Sequence, residues 1–102
     1  MVARTAPGRR EEYLALHHAV WPQVEQTITA CGIRNFTIFV HGDVLFGYYE
    51  YVGDDYAADQ QRMAADPATQ EWWARTAPCQ LPFDEGSDAP NWVELEEAWH
   101  LD

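Results

Sequence analysis

Apolar side chains recur at helical spacing early in the chain, where Tyr13, His17, Val20, Trp21, Val24, Ile28 and Cys31 fall on one stripe. The spacing predicts a helix over about residues 9–31, stopped by Gly32. Pro22 lies inside it and lacks the N–H that would bond the carbonyl of His18, so a kink is expected there. Beyond Gly32 the period shortens. Residues 34–40 and 44–52 read as a hairpin turned by His41-Gly42-Asp43, and residues 2–6 as a short strand ended by Pro7-Gly8. A second helix is predicted over about residues 54–65. Asp66-Pro67 then supplies an N-cap and a proline at the first position of a third helix, which runs to Ala77. A proline-bearing loop over residues 79–91 and a closing strand over residues 92–100 complete the order.

That order, β-α-β-β-α-β, predicts an α+β, ferredoxin-like single domain over residues 1–102, with helices on one side of an antiparallel sheet. Such a sheet normally alternates, with a wet outer face. Here Phe36, Ile38 and Val40 share a face with either Val44, Phe46 and Tyr48 or Leu45, Tyr49 and Tyr51, and the opposite face still carries Phe39 and the remaining aromatics. A sheet apolar on both sides needs a second cover, and the simplest is another copy of the chain packed sheet on sheet. The competing cover is the loop over residues 79–91, folded across the sheet.

With 102 residues, 47% of them apolar, the chain can fill one core and not two. It has no 18-residue apolar run and no charged-then-apolar start, so neither a membrane span nor a secretory signal is expected, and the cytoplasm is the expected compartment. Cys31 and Cys79 lack CxxC spacing and are expected to be reduced, structural thiols. Six arginines and no lysine face seventeen acids, for a net charge of -11. The imbalance is local, because residues 1–42 carry a net +1 and residues 43–102 a net -12. Nucleic acid and anionic membranes are poor partners for that surface. Phosphorylated substrates are disfavoured too, since neither a basic cluster nor a Gly-rich loop is present.

Absences narrow the chemistry further. Without lysine there is no Schiff base. The single serine, Ser87, sits in a polar loop without a nucleophile-elbow pattern. His17 and His18 are adjacent on a helix and cannot converge on one metal ion, and His41 reads as a turn residue, so no metal or other cofactor is expected. Cofactor-free acid/base chemistry or plain binding remains. His17, one turn from Tyr13 and from Trp21 on an apolar stripe, is either a hydrogen-bonded core residue or a general acid/base. Trp72 and Trp73 point about 100° apart on a helix, so one should pack in the core. The other can then offer a flat apolar plate to the C–H face of a sugar.

Along its whole length the chain resembles the L-rhamnose mutarotase family. The likeness is carried by Pro7-Gly8, Glu11-Glu12-Tyr13, His17, Val20-Trp21-Pro22, Gly32 with Asn35, and Ile38-Phe39. It continues through the run Leu45 to Glu50, Trp72-Trp73 and the closing His100-Leu101-Asp102. The resemblance implies a dimeric α/β barrel and a homodimer. It also implies cofactor-free exchange of the α and β anomers of a free monosaccharide, L-rhamnose first, feeding sugar catabolism in the cytoplasm. By the same resemblance His17 takes the acid/base position and Tyr13, Trp72 and Trp73 take substrate-binding positions. Phe36 stands at a further substrate-binding position where the family commonly has a tyrosine, so one sugar hydroxyl is expected to lose a partner. The first strand is several residues short at its start, which should curtail its pairing. Mutarotation needs one acid and one base near neutral pH, roles an imidazole can play. The second proton carrier is Tyr13, Tyr48, Glu50 or water. Two other readings use the same residues. One is a cofactor-independent monooxygenase or cyclase of the same barrel architecture, acting on a flat polyketide; the other is a non-catalytic small-molecule binding module.

Overall fold

Pro22 ends one helix and begins another. In the computed structural model, which describes residues 1–88 and 90–102, α1 spans Arg10–His17 and α2 spans Pro22–Ala30. The single kinked helix expected from the stripe is therefore corrected to two. The residue before a proline is pushed out of the α region, and Trp21 is extended at φ -66° and ψ 132°, which stops the first helix from running into the second. Pro22 then occupies the first position of α2, where its missing N–H costs nothing.

The other elements are β1 (Val2–Thr5), β2 (Ile33–His41), β3 (Val44–Tyr51), α3 (Tyr56–Ala65), α4 (Pro67–Thr76), a 3-10 turn (Ala77–Cys79) and β4 (Gln80–Leu81). The strands form one antiparallel sheet in the order β2-β3-β1-β4, the ferredoxin-like arrangement with each crossover built from two helices. Among the described residues no helix is long and apolar enough to cross a membrane.

The fourth strand is not the one the pattern predicts. The expected strand over residues 92–100 reduces to one bridge, Val93 with Val2. The reason is edge space. Gln80 and Leu81 already pair with Thr5 and Arg4, and β1 is only four residues long, so little free edge is left beyond Val2. The loop expected over 79–91 therefore opens with β4; its position 89 lies outside the described residues.

Register settles which side chains face the helices. Val40 pairs with Leu45 and Ile38 with Gly47. Leu45 joins Ala3, Tyr13 and Cys79 in one buried cluster, while Tyr49 and Tyr51 pack against a second made of Cys31, Ile33 and Met63. Leu45, Tyr49 and Tyr51 are thus the partners of Ile38 and Val40. The opposite face carries exposed Phe39, Phe46 and Tyr48, with the two phenylalanine rings 6.2 Å apart. Among the described residues, the loop after β4 meets the sheet at Arg4 of β1. Arg4 donates to the carbonyl of Phe83 at 2.9 Å and lies 4.5 Å over its ring, yet Phe39 stays 57% exposed.

Gly32, between α2 and β2, has φ +86°, and a Cβ there would lie 2.9 Å from Cε1 of Tyr51. Gly32→Ala is expected to cost about 1–2 kcal/mol from the left-handed backbone alone, with the clash added. Thermal melting checks this, and an unchanged midpoint would refute it.

Candidate functional site

The site grows from one turn of α1. Tyr13 and His17 are four residues apart and stack, ring centroids 4.4 Å apart at 35°. His17 Nδ1 lies 2.9 Å from the carbonyl oxygen of Tyr13. A carbonyl only accepts, so Nδ1 carries the proton in the neutral ring and Nε2 carries the lone pair.

Tyr13 is 1% exposed, and its oxygen accepts from Gln80 Nε2 at 3.3 Å. Burial pushes its phenol up to about 12, against a smaller lowering by Gln80, so it stays protonated across neutral pH. No hydrogen bond among the described residues uses that proton.

α4 supplies the other wall, and its start is pinned locally. The Asp66 carboxylate accepts from the amide of Thr69 at 2.9 Å and from its hydroxyl at 2.8 Å, and these bonds hold the Asp66 pKa below its usual value. Trp72, one turn further on, is 6% exposed and sets its edge against two rings, His17 at 5.4 Å and Trp21 at 5.3 Å. The Arg75 guanidinium lies 5.4 Å from the Trp21 ring. Trp73 is 41% exposed, so the tryptophan pair divides between core and surface as its spacing predicts.

Tyr13, His17 and Trp72 are thus brought together, with Trp21 as a fourth ring. Phe36 packs on Tyr49 at 5.3 Å, and among the described residues no ring contact joins Phe36 or Trp73 to His17. Of the candidate proton carriers, Tyr48 donates to Glu50 Oε2 at 2.9 Å. Both alternate with Leu45 and Tyr49 along β3 and so lie on the face away from the helices. Two surface clefts of about 490 and 560 Å³ run along α2, but neither is lined by Tyr13, His17 or Trp72. No group of three or more His, Cys, Asp or Glu among the described residues is placed to hold a metal ion.

Two neighbours of this site escape a reading of the sequence. Gln80 falls in the expected loop, and nothing at that position signals a partner 67 residues away. Trp92 packs on the Tyr13 cluster, and a Cβ on Gly47 would lie 3.3 Å from its Cζ3. A glycine inside an apolar strand is the available signal for such a close approach.

A family model described as L-rhamnose mutarotase matches residues 1–101. An L-rhamnose mutarotase of Listeria monocytogenes is 33% identical over 97 residues, covering 93% of this chain and 88% of its own. One from Phocaeicola vulgatus is 29% identical over 98 residues, covering 94% and 89%. Among solved structures, the L-rhamnose mutarotase of Formosa agariphila superposes with a TM-score of 0.74 at 20% identity, covering 99% of this chain and 94% of that one. Tetracenomycin F2 cyclase of Streptomyces glaucescens, a type-II polyketide cyclase, superposes with a TM-score of 0.65 at 20% identity, covering 100% and 95%. At that identity both structures speak to the fold alone.

Proposed function

The chain belongs to the L-rhamnose mutarotase family, isomerases that act on carbohydrates, and from that premise we propose that His17 is its acid/base residue, working through Nε2. The observation that carries the proposal is the contact of His17 Nδ1 with the Tyr13 carbonyl, which leaves Nε2 as the ring's proton acceptor.

Nε2 takes the proton of the anomeric hydroxyl while the bond from C1 to the ring oxygen breaks and water protonates that oxygen. The product is the open-chain aldehyde. Rotation about C1–C2 presents the other carbonyl face. The former ring oxygen then attacks it, returning its proton to the hydroxide left by that water, and the new anomeric oxygen recovers a proton from Nε2–H. Protons balance over the cycle and no cofactor enters. Water is the second carrier because Tyr48 and Glu50 lie on the far face of the sheet, while the buried Tyr13 phenol, raised to about 12, keeps its proton for hydrogen bonding. Tyr13 donates that proton as a hydrogen bond to a sugar hydroxyl. Trp72 and Trp73 offer flat apolar surface, and Phe36 offers a ring face where a tyrosine would add a hydrogen bond.

Saturation transfer between the α- and β-L-rhamnose resonances tests this directly. The expected result is exchange that rises with protein and saturates with sugar, and no acceleration over buffer would overturn it. Trp73→Ala should raise the sugar concentration at half-saturation and barely move the melting temperature, because the residue is 41% exposed. If half-saturation stays fixed, Trp73 is not a sugar contact.

The assembly is a homodimer in the cytoplasm, single-domain protomers packing sheet on sheet. Exposed Phe39, Phe46 and Tyr48 on the outer face support it. Light scattering at micromolar concentration is expected to give about twice the 11.7 kDa chain mass, and a monomer would refute the sheet-on-sheet contact.

A further inference from the structure

Asn35 is the one non-glycine residue with positive φ, 52°, among the described residues. It sits where β2 and β3 slip in register. Ile33 pairs with Tyr51 and Arg34 with Glu50, but the next pair is Thr37 with Tyr48, so β2 holds one residue more than β3 across the gap. This is a β-bulge. It lets Ile33 face the helices together with Ile38 and Val40, which a regular strand would forbid because 33 and 38 differ by an odd number. It also lays Phe36 against Tyr49, ring centroids 5.3 Å apart.

The left-handed conformation is held from both ends of the residue. Asn35 Nδ2 donates to Glu50 Oε2 at 3.2 Å, and the same oxygen accepts from the Tyr48 hydroxyl at 2.9 Å. The Asn35 carbonyl accepts from Thr37 Oγ1 at 3.2 Å. Non-glycine residues persist in this region only when their surroundings over-determine it, and asparagine tolerates it better than most. Besides turning Ile33 to the core, the extra residue sets the place of Phe36.

We propose that Asn35 is a positioning residue for the sugar site: clamped by Glu50, it holds the bulge that fixes Phe36 in the place from which it meets the substrate. This rests on the reading of Phe36 as a sugar contact.

The test is a split of KM from kcat in L-rhamnose exchange, with melting temperature and mass in solution recorded for each variant. Asn35→Ala removes the clamp and penalises the left-handed backbone, and is expected to raise KM by about tenfold with kcat nearly fixed. Asn35→Gly restores the backbone freedom and should recover most of the lost affinity. Glu50→Ala, at an exposed position, should raise KM in the same direction, and it carries the test if Asn35→Ala does not fold. A lowered melting temperature with unchanged KM in Asn35→Ala or Glu50→Ala would overturn the positioning role, as would Asn35→Gly as weak as Asn35→Ala. Phe36→Ala separates the two readings. If it leaves KM unchanged, Phe36 is no sugar contact and the positioning role falls with it; if it raises KM while Asn35→Ala does not, the positioning role alone fails.

Discussion

His17→Gln is expected to slow protein-catalysed exchange of L-rhamnose anomers by about 10²–10⁴-fold, the usual contribution of a positioned general acid/base. Glutamine keeps a polar head and much of the volume between the rings of Tyr13 and Trp72, so the walls of the site stay supported. What it cannot do is take up and return a proton near neutral pH. The paired control is His18→Ala. His18 is exposed and caps α1 through its backbone N–H, which alanine preserves, so exchange should change little. Saturation-transfer rates alongside circular dichroism decide the matter. Exchange that survives in a natively folded His17→Gln protein, with an unchanged pH profile, would make His17 a core residue that happens to be hydrogen-bonded.

Trp72→Ala is expected to lower stability by about 3–5 kcal/mol and to abolish most exchange with it. At 6% exposure the indole is the shared wall between His17 of α1 and Trp21 at the entry of α2, so truncation opens a cavity against both helices. Denaturant unfolding measures the loss. Trp72→Phe should return part of it, because a smaller ring still reaches one of the two neighbours. A Trp72→Ala protein as stable as the parent would mean that the three-ring contact is not what joins α1, α2 and α4.

The pairing of Tyr13 with His17 is legible in the sequence because it lies within one helical turn, and the division of Trp72 from Trp73 follows from helix geometry. The proposal that Phe36 is a substrate contact comes from family resemblance alone, whereas a sugar platform at one tryptophan of the pair is also suggested by helix geometry. Pro22 announces a missing N–H, but whether the chain kinks or restarts depends on the ψ of Trp21. Residues 92–100 carry apolar side chains that suggest a closing strand, yet pairing needs a free edge, and the two-residue β4 that occupies it is too short to leave a pattern. The bulge at Asn35 hides for a related reason. Phe36, Ile38 and Val40 alternate regularly, and only the burial of Ile33 reveals that the phase has slipped.

The bond from His17 to the Tyr13 carbonyl spans a single turn of an eight-residue helix. In many acid/base sites the histidine is oriented by a carboxylate or carbonyl delivered from a distant segment, so that tautomer choice depends on the whole fold closing correctly. Here residues 13–17 carry both the imidazole and the group that orients it. Tautomer selection therefore rests on α1 alone and needs no group delivered by another element.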